Sequence, residues 1–323
     1  MSVASESDSV YLIDASIYIF QAHFSPYIEC TDRDGNPLNA VYGFCQFLLQ
    51  FLRRTQPPYV GVAHDQSLFS GFRHQLCPHY KSNREQPDAN LEMQLKACFE
   101  LCEVLGLSGY RSTTYEADDI IGTLAANIRT DESTGKAGCC AQIYIVSRDK
   151  DLAQLLGDSA DCLWEFSKNR RRYEADIKSE FGVRPDQLCD YLGLAGDAVD
   201  CISGVPGIGP VKAKELLCRF GDLDSIYNNL QAVGEMPLRG AKSLAQSLAQ
   251  HQDQAELSRT LATIICEVDD TSEDFANAGL DDLQRTDIDL DELRSFLLTY
   301  RFQSQQSEQL VKQAQRLTER RRN

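Results

Sequence analysis

Tyr115-Glu116-Ala117-Asp118-Asp119-Ile120-Ile121-Gly122-Thr123-Leu124-Ala125 sets three carboxylates within four residues against an apolar run. The apolar run predicts a buried helix whose first turn carries the acids. Acids there complement the partial positive charge of a helix N-terminus, which accounts for one or two of them as caps. Three crowded together repel one another unless a cation holds them. Capping and metal binding both stand at this stretch, and the rest of the chain weighs between them.

Working outward, the chain alternates strands and helices. Val10-Tyr11-Leu12-Ile13 reads as a short buried strand ending in Asp14. Tyr59-Val60-Gly61-Val62-Ala63 reads as a second, ending at His64-Asp65. Gln142-Ile143-Tyr144-Ile145-Val146-Ser147 reads as a third, followed at once by Arg148-Asp149-Lys150-Asp151. Residues 39–54 have helical periodicity, with Val41, Phe44, Phe47, Leu48 and Phe51 on one side, and residues 91–105 form another helix. This order predicts an α/β fold with a mainly parallel sheet flanked by helices. Asp14, Asp65 and Asp149 each follow a strand, and open α/β sheets bind ligands outside the carboxyl ends of their strands. A lone aspartate there is usually a turn residue or cap. Three of them, with the Glu116 cluster, favour a shared all-oxygen site for a hard cation.

Residues 66–90 change texture: Phe72-Arg73 and then His79-Tyr80-Lys81-Ser82-Asn83-Arg84 mix aromatics with bases. Following the Asp65 strand, this insertion is expected to stand over the acids and to suit phosphate contacts and base stacking, against the plainer reading of an amphipathic surface loop. From Cys189 the chain reads as helical and Gly-rich. Gly196-Asp197-Ala198-Val199-Asp200 adds two carboxylates, and Gly204-Val205-Pro206-Gly207-Ile208-Gly209-Pro210 makes a tight turn before a helix over 211–220. Close glycines let backbone N–H groups approach a phosphate, but the spacing is neither Rossmann nor Walker A and is weak alone. Its helix–hairpin–helix setting and the following Lys212 and Lys214 strengthen it. Residues 231–303 read as further helices with an acidic connector, and 304–323 as a polar, frayed helical tail ending Glu319-Arg320-Arg321-Arg322.

The chain of 323 residues is 42% hydrophobic and 25% charged, which suits a globular protein with a substantial core. A net charge of −16 argues against a simple nucleic-acid binder. The bases are clumped, however, at Lys81 and Arg84, at Lys168 with Arg170 to Arg172, and at Lys212 and Lys214, and local field governs the steering of a polyanion. Arg170-Arg171-Arg172 by itself reads as a solvated face. No apolar run approaches the ~20 residues of a membrane span, and the polar, acidic start is neither signal nor transit peptide. None of the twelve cysteines has Cys-x-x-Cys spacing: Cys98 and Cys102 lie one helical turn apart and Cys139-Cys140 are adjacent. They read as reduced thiols of a cytoplasmic protein.

Taken together, the motifs resemble the 5′ nuclease (flap endonuclease) family, in particular the 5′–3′ exonuclease domain of bacterial DNA polymerase I. The matching pieces include Val10 to Asp14, Phe72-Arg73, His79 to Arg84, Glu116 to Ala125, Asp149-Lys150-Asp151-Leu152-Ala153-Gln154-Leu155, Gly204 to Gly209, Arg239-Gly240-Ala241-Lys242 and Leu261-Ala262-Thr263-Ile264. The resemblance implies a PIN-like nuclease domain over 1–188 with a helical arch near 66–95, a helix–three-turn–helix DNA-binding region over 189–303, and the tail over 304–323. By position it implies that Asp14, Asp65, Glu116 and Asp118, with Asp119 close behind, hold one divalent ion. Asp149, Asp151 and Asp200, with Asp197 adjacent, would hold a second. The ions would be magnesium, with manganese able to substitute. Lys81 and Arg84 would act on the phosphate, and Arg73 and Tyr80 would meet DNA. The backbone of Gly204, Val205, Gly207, Ile208 and Gly209, with Lys212 and Lys214, would hold duplex phosphates around a potassium ion.

The implied function is two-metal hydrolysis of DNA with a free 5′ end, at a flap, nick or frayed duplex, in replication or repair. The expected protein is a monomer in the bacterial cytoplasm or nucleoid. A catalytically weak DNA-binding protein and a PIN-type ribonuclease are the alternatives. Five departures from the family pattern bear on affinity: Gln21, His64, Arg148, Cys201 with Ser203, and Val211, with a lysine only at Lys212. Arg148, beside two implied ligands, is expected to turn outward for want of space.

Overall fold

Val10–Asp14 (β1) is buried along its whole length, as a strand covered on both faces must be. Tyr59–Asp65 (β2) and Ile143–Val146 (β4) run parallel to it on either side, and Ser108–Ser112 (β3) runs parallel to β2, giving the order β3-β2-β1-β4. The structure, a computed structural model, describes residues 9–67, 69–130 and 142–322. They fall into two compact units: 9–67, 86–130, 142–148 and 265–322 make the first, and 69–85 with 149–264 make the second. The division therefore crosses the chain four times; the boundaries expected from the sequence lie after residues 188 and 303.

Around the parallel strands the first unit sets Ala15–His23 (α1), Asn39–Thr55 (α2), Ala89–Val104 (α4), Ala117–Thr130 (α5), Leu290–Thr299 (α13) and Ser304–Arg322 (α14). α2 buries Phe44, Leu48, Phe51 and Leu52 on one face. Leu38 offers its N-terminus no side-chain cap. The buried Gln94 of α4 supplies the missing acceptor, its Oε1 taking the N–H groups of Ala40 at 2.9 Å and Val41 at 3.4 Å. α14 buries Leu310, Ala314 and Leu317, so the polar tail is a packed helix and not a frayed one.

The second unit holds Phe72–Leu76 (α3), a 3₁₀ turn over Asp151–Leu155, and an antiparallel ribbon of Cys162–Glu165 (β5) and Arg170–Arg172 (β6). Glu174–Phe181 (α6), Leu188–Ala195 (α7), Pro210–Phe220 (α8), Leu223–Asn228 (α9), Leu230–Gly234 (α10), Ala241–Gln250 (α11) and Gln252–Ala262 (α12) complete it. The segment expected as a helical arch near 66–95 contributes α3, of five residues, turns over 78–83 and the first residues of α4. Its Tyr80 is buried with Leu192, Ile202, Leu261 and Ala262, which packs the segment onto this unit's own helices. Of the run Arg170-Arg171-Arg172, expected as a solvated face, Arg172 is buried. All ten described cysteines are free thiols, and Cys139-Cys140 lies outside the described residues. Among the described residues no helix is long and apolar enough to cross a membrane.

Candidate active site

Parallel pairing puts Asp14 and Asp65 at the same edge of the first unit's sheet, Asp14 in register with Ala63 and Asp65 with Ser112. Asp14 is buried; its Oδ2 accepts the Ser147 hydroxyl at 2.8 Å from the end of β4, and its Oδ1 faces the N–H of Ile17 at the start of α1. Asp65 Oδ1 accepts the Ala117 N–H at 2.7 Å, so the N-terminus of α5 is aimed at this carboxylate. That bond brings Asp65 to the acidic stretch, where Glu116 and Asp118 are half-buried. The Ser112 hydroxyl accepts the N–H groups of Thr114 and Tyr115 at 3.0 Å and fixes the turn that delivers them. Asp119 has a different occupation. It is fully buried, and its two oxygens accept the N–H groups of Glu116 and Ile265 at 3.1 and 2.9 Å. Both oxygens tie backbone together, which is the work of a cap.

The second unit gathers its own acids. Asp149 Oδ1 accepts the Asp151 N–H at 2.9 Å at the start of the 3₁₀ turn. Lys150 Nζ lies 2.5 Å from Asp197 Oδ2 and 3.9 Å from Asp151 Oδ1. Asp200 takes Arg84 at 3.0 Å and Lys81 at 3.8 Å. Burial, and next the charge of Asp149, push the Asp151 carboxyl up to about 7, with Asp197 and Asp200 adding to the effect. Lys150 opposes that rise and is outweighed, because one ammonium faces several carboxylates. Burial acts to lower the Lys150 pKa, yet Asp151, Asp197 and Asp149 hold it above the usual range.

Among the described residues, no three His, Cys, Asp or Glu side chains stand close enough about one point to hold an ion. The donor chemistry nevertheless suits a hard divalent cation: it is all carboxylate oxygen, and positive charge is already drawn to it as Lys150, Lys81 and Arg84. Within the Asp149-Lys150-Asp151 motif the sequence alone assigns Lys150 no role. A base between two acids is the signal that marks it. Ser147, which orients Asp14, carries no such signal in sequence.

Residues 79–84 are clamped to the loop carrying Asp197 and Asp200 by Lys81 N–H to the Asp200 carbonyl at 3.0 Å and Asn83 Nδ2 to the Val199 carbonyl at 3.1 Å. Lys81 and Cys201 both have left-handed backbone, φ 50° and 57°, a conformation that non-glycine residues adopt at a cost. Arg73, expected at DNA, is buried and donates from Nε to the Leu261 carbonyl at 2.9 Å and from Nη2 to the Thr263 carbonyl at 2.6 Å. Tyr80, also expected at DNA, is core. Both are corrected to structural residues: the charged fork satisfies two carbonyls and the ring fills an apolar cluster.

The helix–hairpin–helix is α7, the turn over 196–209, and α8. A side chain at Gly204 would collide with the backbone of Gly196, and its φ of 61° is itself a glycine conformation. The N–H groups of Val205, Ile208 and Gly204 are used internally, by the carbonyls of Leu194 and Val205 and by the Ser258 hydroxyl. The Val205 and Ile208 side chains are buried. Gly207 and Gly209 are the open positions: nothing lies within 4 Å of where a Cβ would stand. Lys212 Nζ donates to the Gly207 carbonyl at 2.8 Å, and Lys214 Nζ stands over the Tyr191 ring.

Of the remaining departures, Gln21 and Arg148 are exposed. Val211 is 71% exposed. His64 is buried between Phe44 and Phe99 with Nε2 3.3 Å from Cys102 Sγ. Burial, and secondarily Arg111, lower its pKa to about 3, so it is a neutral packing residue.

The family model described as the 5′-3′ exonuclease N-terminal resolvase-like domain matches residues 9–182, and that of the 5′-3′ exonuclease C-terminal SAM fold matches 183–291. A 5′-3′ exonuclease of Buchnera aphidicola subsp. Schizaphis graminum is 33% identical over 259 residues, covering 80% of this chain and 87% of the relative. DNA polymerase I of Bacillus subtilis is 34% identical over 264 residues, 81% of this chain but 28% of the polymerase. Among solved structures, the T5 D15 protein co-crystallised with metal ions has a TM-score of 0.62 at 17% identity, covering 96% of this chain and 99% of its own. The catalytic core of Rad2 in complex with DNA substrate has a TM-score of 0.57 at 18% identity, covering 94% and 91%. At these identities the two structures speak to the fold.

Proposed function

The chain belongs to the 5′-3′ exonuclease family, and from that premise we propose that this nuclease hydrolyses phosphodiesters of DNA carrying a free 5′ end, at a flap, a nick or a frayed duplex, in replication or repair. The observation that carries the reading is the complete set of carboxylates: Asp14, Asp65, Glu116 and Asp118 in one unit, and Asp149, Asp151, Asp197 and Asp200 in the other. Each set would hold one divalent ion, magnesium, with manganese able to substitute. Such ions, when bound, polarise a phosphate, lower the pKa of an attacking water and stabilise the leaving 3′ oxygen.

The chain's own residues do the positioning. Ser147 and the start of α1 orient Asp14, and the N-terminus of α5 orients Asp65. Lys81 and Arg84, poised on Asp200, would turn their charge to a substrate phosphate and stabilise the negative charge that develops on it. The strained backbone at Lys81 supports that role, since such conformations gather where function requires a fixed aim. The N–H groups of Gly207 and Gly209, where the space for a Cβ is open, with Lys212 and Lys214, would receive duplex phosphates. Lys212 already puts a positive charge on the Gly207 carbonyl, within the hairpin that would hold a potassium ion.

The test is a 5′-flap DNA and a single-stranded RNA, each incubated with magnesium and with chelator. Magnesium-dependent cutting of the flap with the RNA intact is the expected result. Cutting of the RNA alone would make the protein a ribonuclease, and tight flap binding without cutting would make it a binding protein.

A further inference from the structure

We propose that a cavity between α2 and α14, both in the first unit, is a binding site for a nucleoside phosphate, with adenine as the preferred base. The cavity measures about 550 Å³. Arg53 of α2 and Arg316 and Arg320 of α14 line it. Elsewhere in this unit arginines reach carboxylates: Arg294 holds Asp291, Arg301 holds Asp34 and Arg321 holds Asp287. Arg53, Arg316 and Arg320 have no carboxylate partner among the described residues. The only acid in the lining, Glu319, accepts from Gln315. Three guanidiniums against one carboxylate leave a local excess of two positive charges in a chain of net charge −16. Without a bound anion these guanidiniums repel one another.

The rest of the lining narrows the anion. A cavity of this volume takes a molecule and not merely an ion. Guanidinium forks match phosphate oxygens in pairs. Leu49 and Leu317 are buried in the floor and offer an apolar surface to a flat base. Gln46, Gln50 and Gln313 place amides around it, each with donors and an acceptor on one planar group. That is the side-chain type that pairs with the N6 and N7 edge of adenine. An acidic peptide would satisfy the arginines but leave the amides and the apolar floor without purpose. None of the acids, bases or hairpin residues assigned to hydrolysis lines this cavity, and α14 lies beyond residue 291, where the family match ends. The proposal therefore does not rest on the nuclease reading.

The experiment titrates the full chain, in chelator so that cleavage is silent, with AMP, with a 5′-phosphorylated oligodeoxyadenylate, with inorganic phosphate and with an oligoglutamate peptide. One-site AMP binding is expected, at least tenfold weaker in Arg316→Glu/Arg320→Glu and unchanged in Asp149→Asn. Gln46→Ala/Gln313→Ala should weaken AMP severalfold and leave inorganic phosphate where it was. Oligodeoxyadenylate binding more tightly than AMP, with the same arginine dependence, would give the terminal nucleotide of a strand as the source; the reverse order would give free nucleotide. The proposal is overturned if AMP does not bind, if the arginine variants bind it as the parent does, if Asp149→Asn loses it, or if phosphate or oligoglutamate binds as tightly. The arginines are exposed, so the charge reversals should fold; an Arg53→Gln chain with an unchanged melting midpoint and the same loss of affinity repeats the test independently.

Discussion

Asp200 gathers two cations on one residue, since Arg84 and Lys81 both converge on its carboxylate. Asp200→Asn keeps the volume and removes the charge. It should lower cleavage at least a hundredfold while flap binding in calcium holds or tightens, because a repulsion with phosphate is gone. Near-parental turnover would remove Asp200 from the site. Lys81→Ala should reduce kcat more than it raises KM if the ammonium acts on the developing charge; a rise in KM alone would make Lys81 a steering residue. His64 allows a stability test that needs no substrate. Its folded pKa, about 3, lies below the unfolded value near 6.5, so the folded state favours the neutral ring. The stability it contributes is whole above pH 6.5 and is lost as pH falls toward 3, by about 1.4 kcal/mol per unit while only the unfolded chain protonates. In urea titrations at pH 7.5 and 5, His64→Leu should show a smaller loss than the parent, by roughly 2 kcal/mol. Equal losses would mean that His64 does not resist protonation.

α5 is the element on which structure and chemistry divide, and its first turn tells them apart. Asp119 feeds both oxygens to backbone N–H groups, whereas Asp118 is half-buried beside them. Asp119→Asn leaves one of those donors facing an amide NH₂, which should cost about 1–3 kcal/mol of stability with little change in turnover per folded molecule. Asp118→Asn should do the reverse. Identical behaviour of the two variants would give Asp119 the same role as Asp118. The sequence could place this turn but not divide its labour, because an acid cap and an acid ligand are the same residue type in the same position. The same limit explains Arg73 and Tyr80. A buried arginine serving two carbonyls and an exposed one awaiting a phosphate read alike until burial is known. Elements were legible where one force dominates: β1, β2 and β4 are apolar runs, and α2 has an unbroken apolar face. β3 was not legible. Ser108-Gly109-Tyr110-Arg111-Ser112 buries only Tyr110 and Ser112, and its extended form comes from pairing with β2, a partner distant in sequence.

At the scale of the whole molecule the governing quantity is a net charge of −16. A chain this acidic repels itself and its polyanionic substrate. Burial, and next the neighbouring carboxylates, push Asp151 up to about 7, a folded-state cost that bound cations should relieve. A ligand that binds only the native chain stabilises it by about 2.7 kcal/mol at one hundred times its dissociation constant. Magnesium should therefore raise the thermal midpoint by several degrees, at roughly 2–4 °C per kcal/mol for a chain of a few hundred residues. Calcium should do the same without supporting cleavage. The origin of the rise can be located: Asp14→Asn and Asp149→Asn should each lose part of it and the double variant most of it, since the two residues belong to separate sets in separate units. Sodium chloride at matched ionic strength is the control, because screening of diffuse surface charge responds to ionic strength and not to which cation supplies it. A midpoint that rises equally in sodium and magnesium, and equally in parent and double variant, would mean that the acids are spread charge and hold no ion.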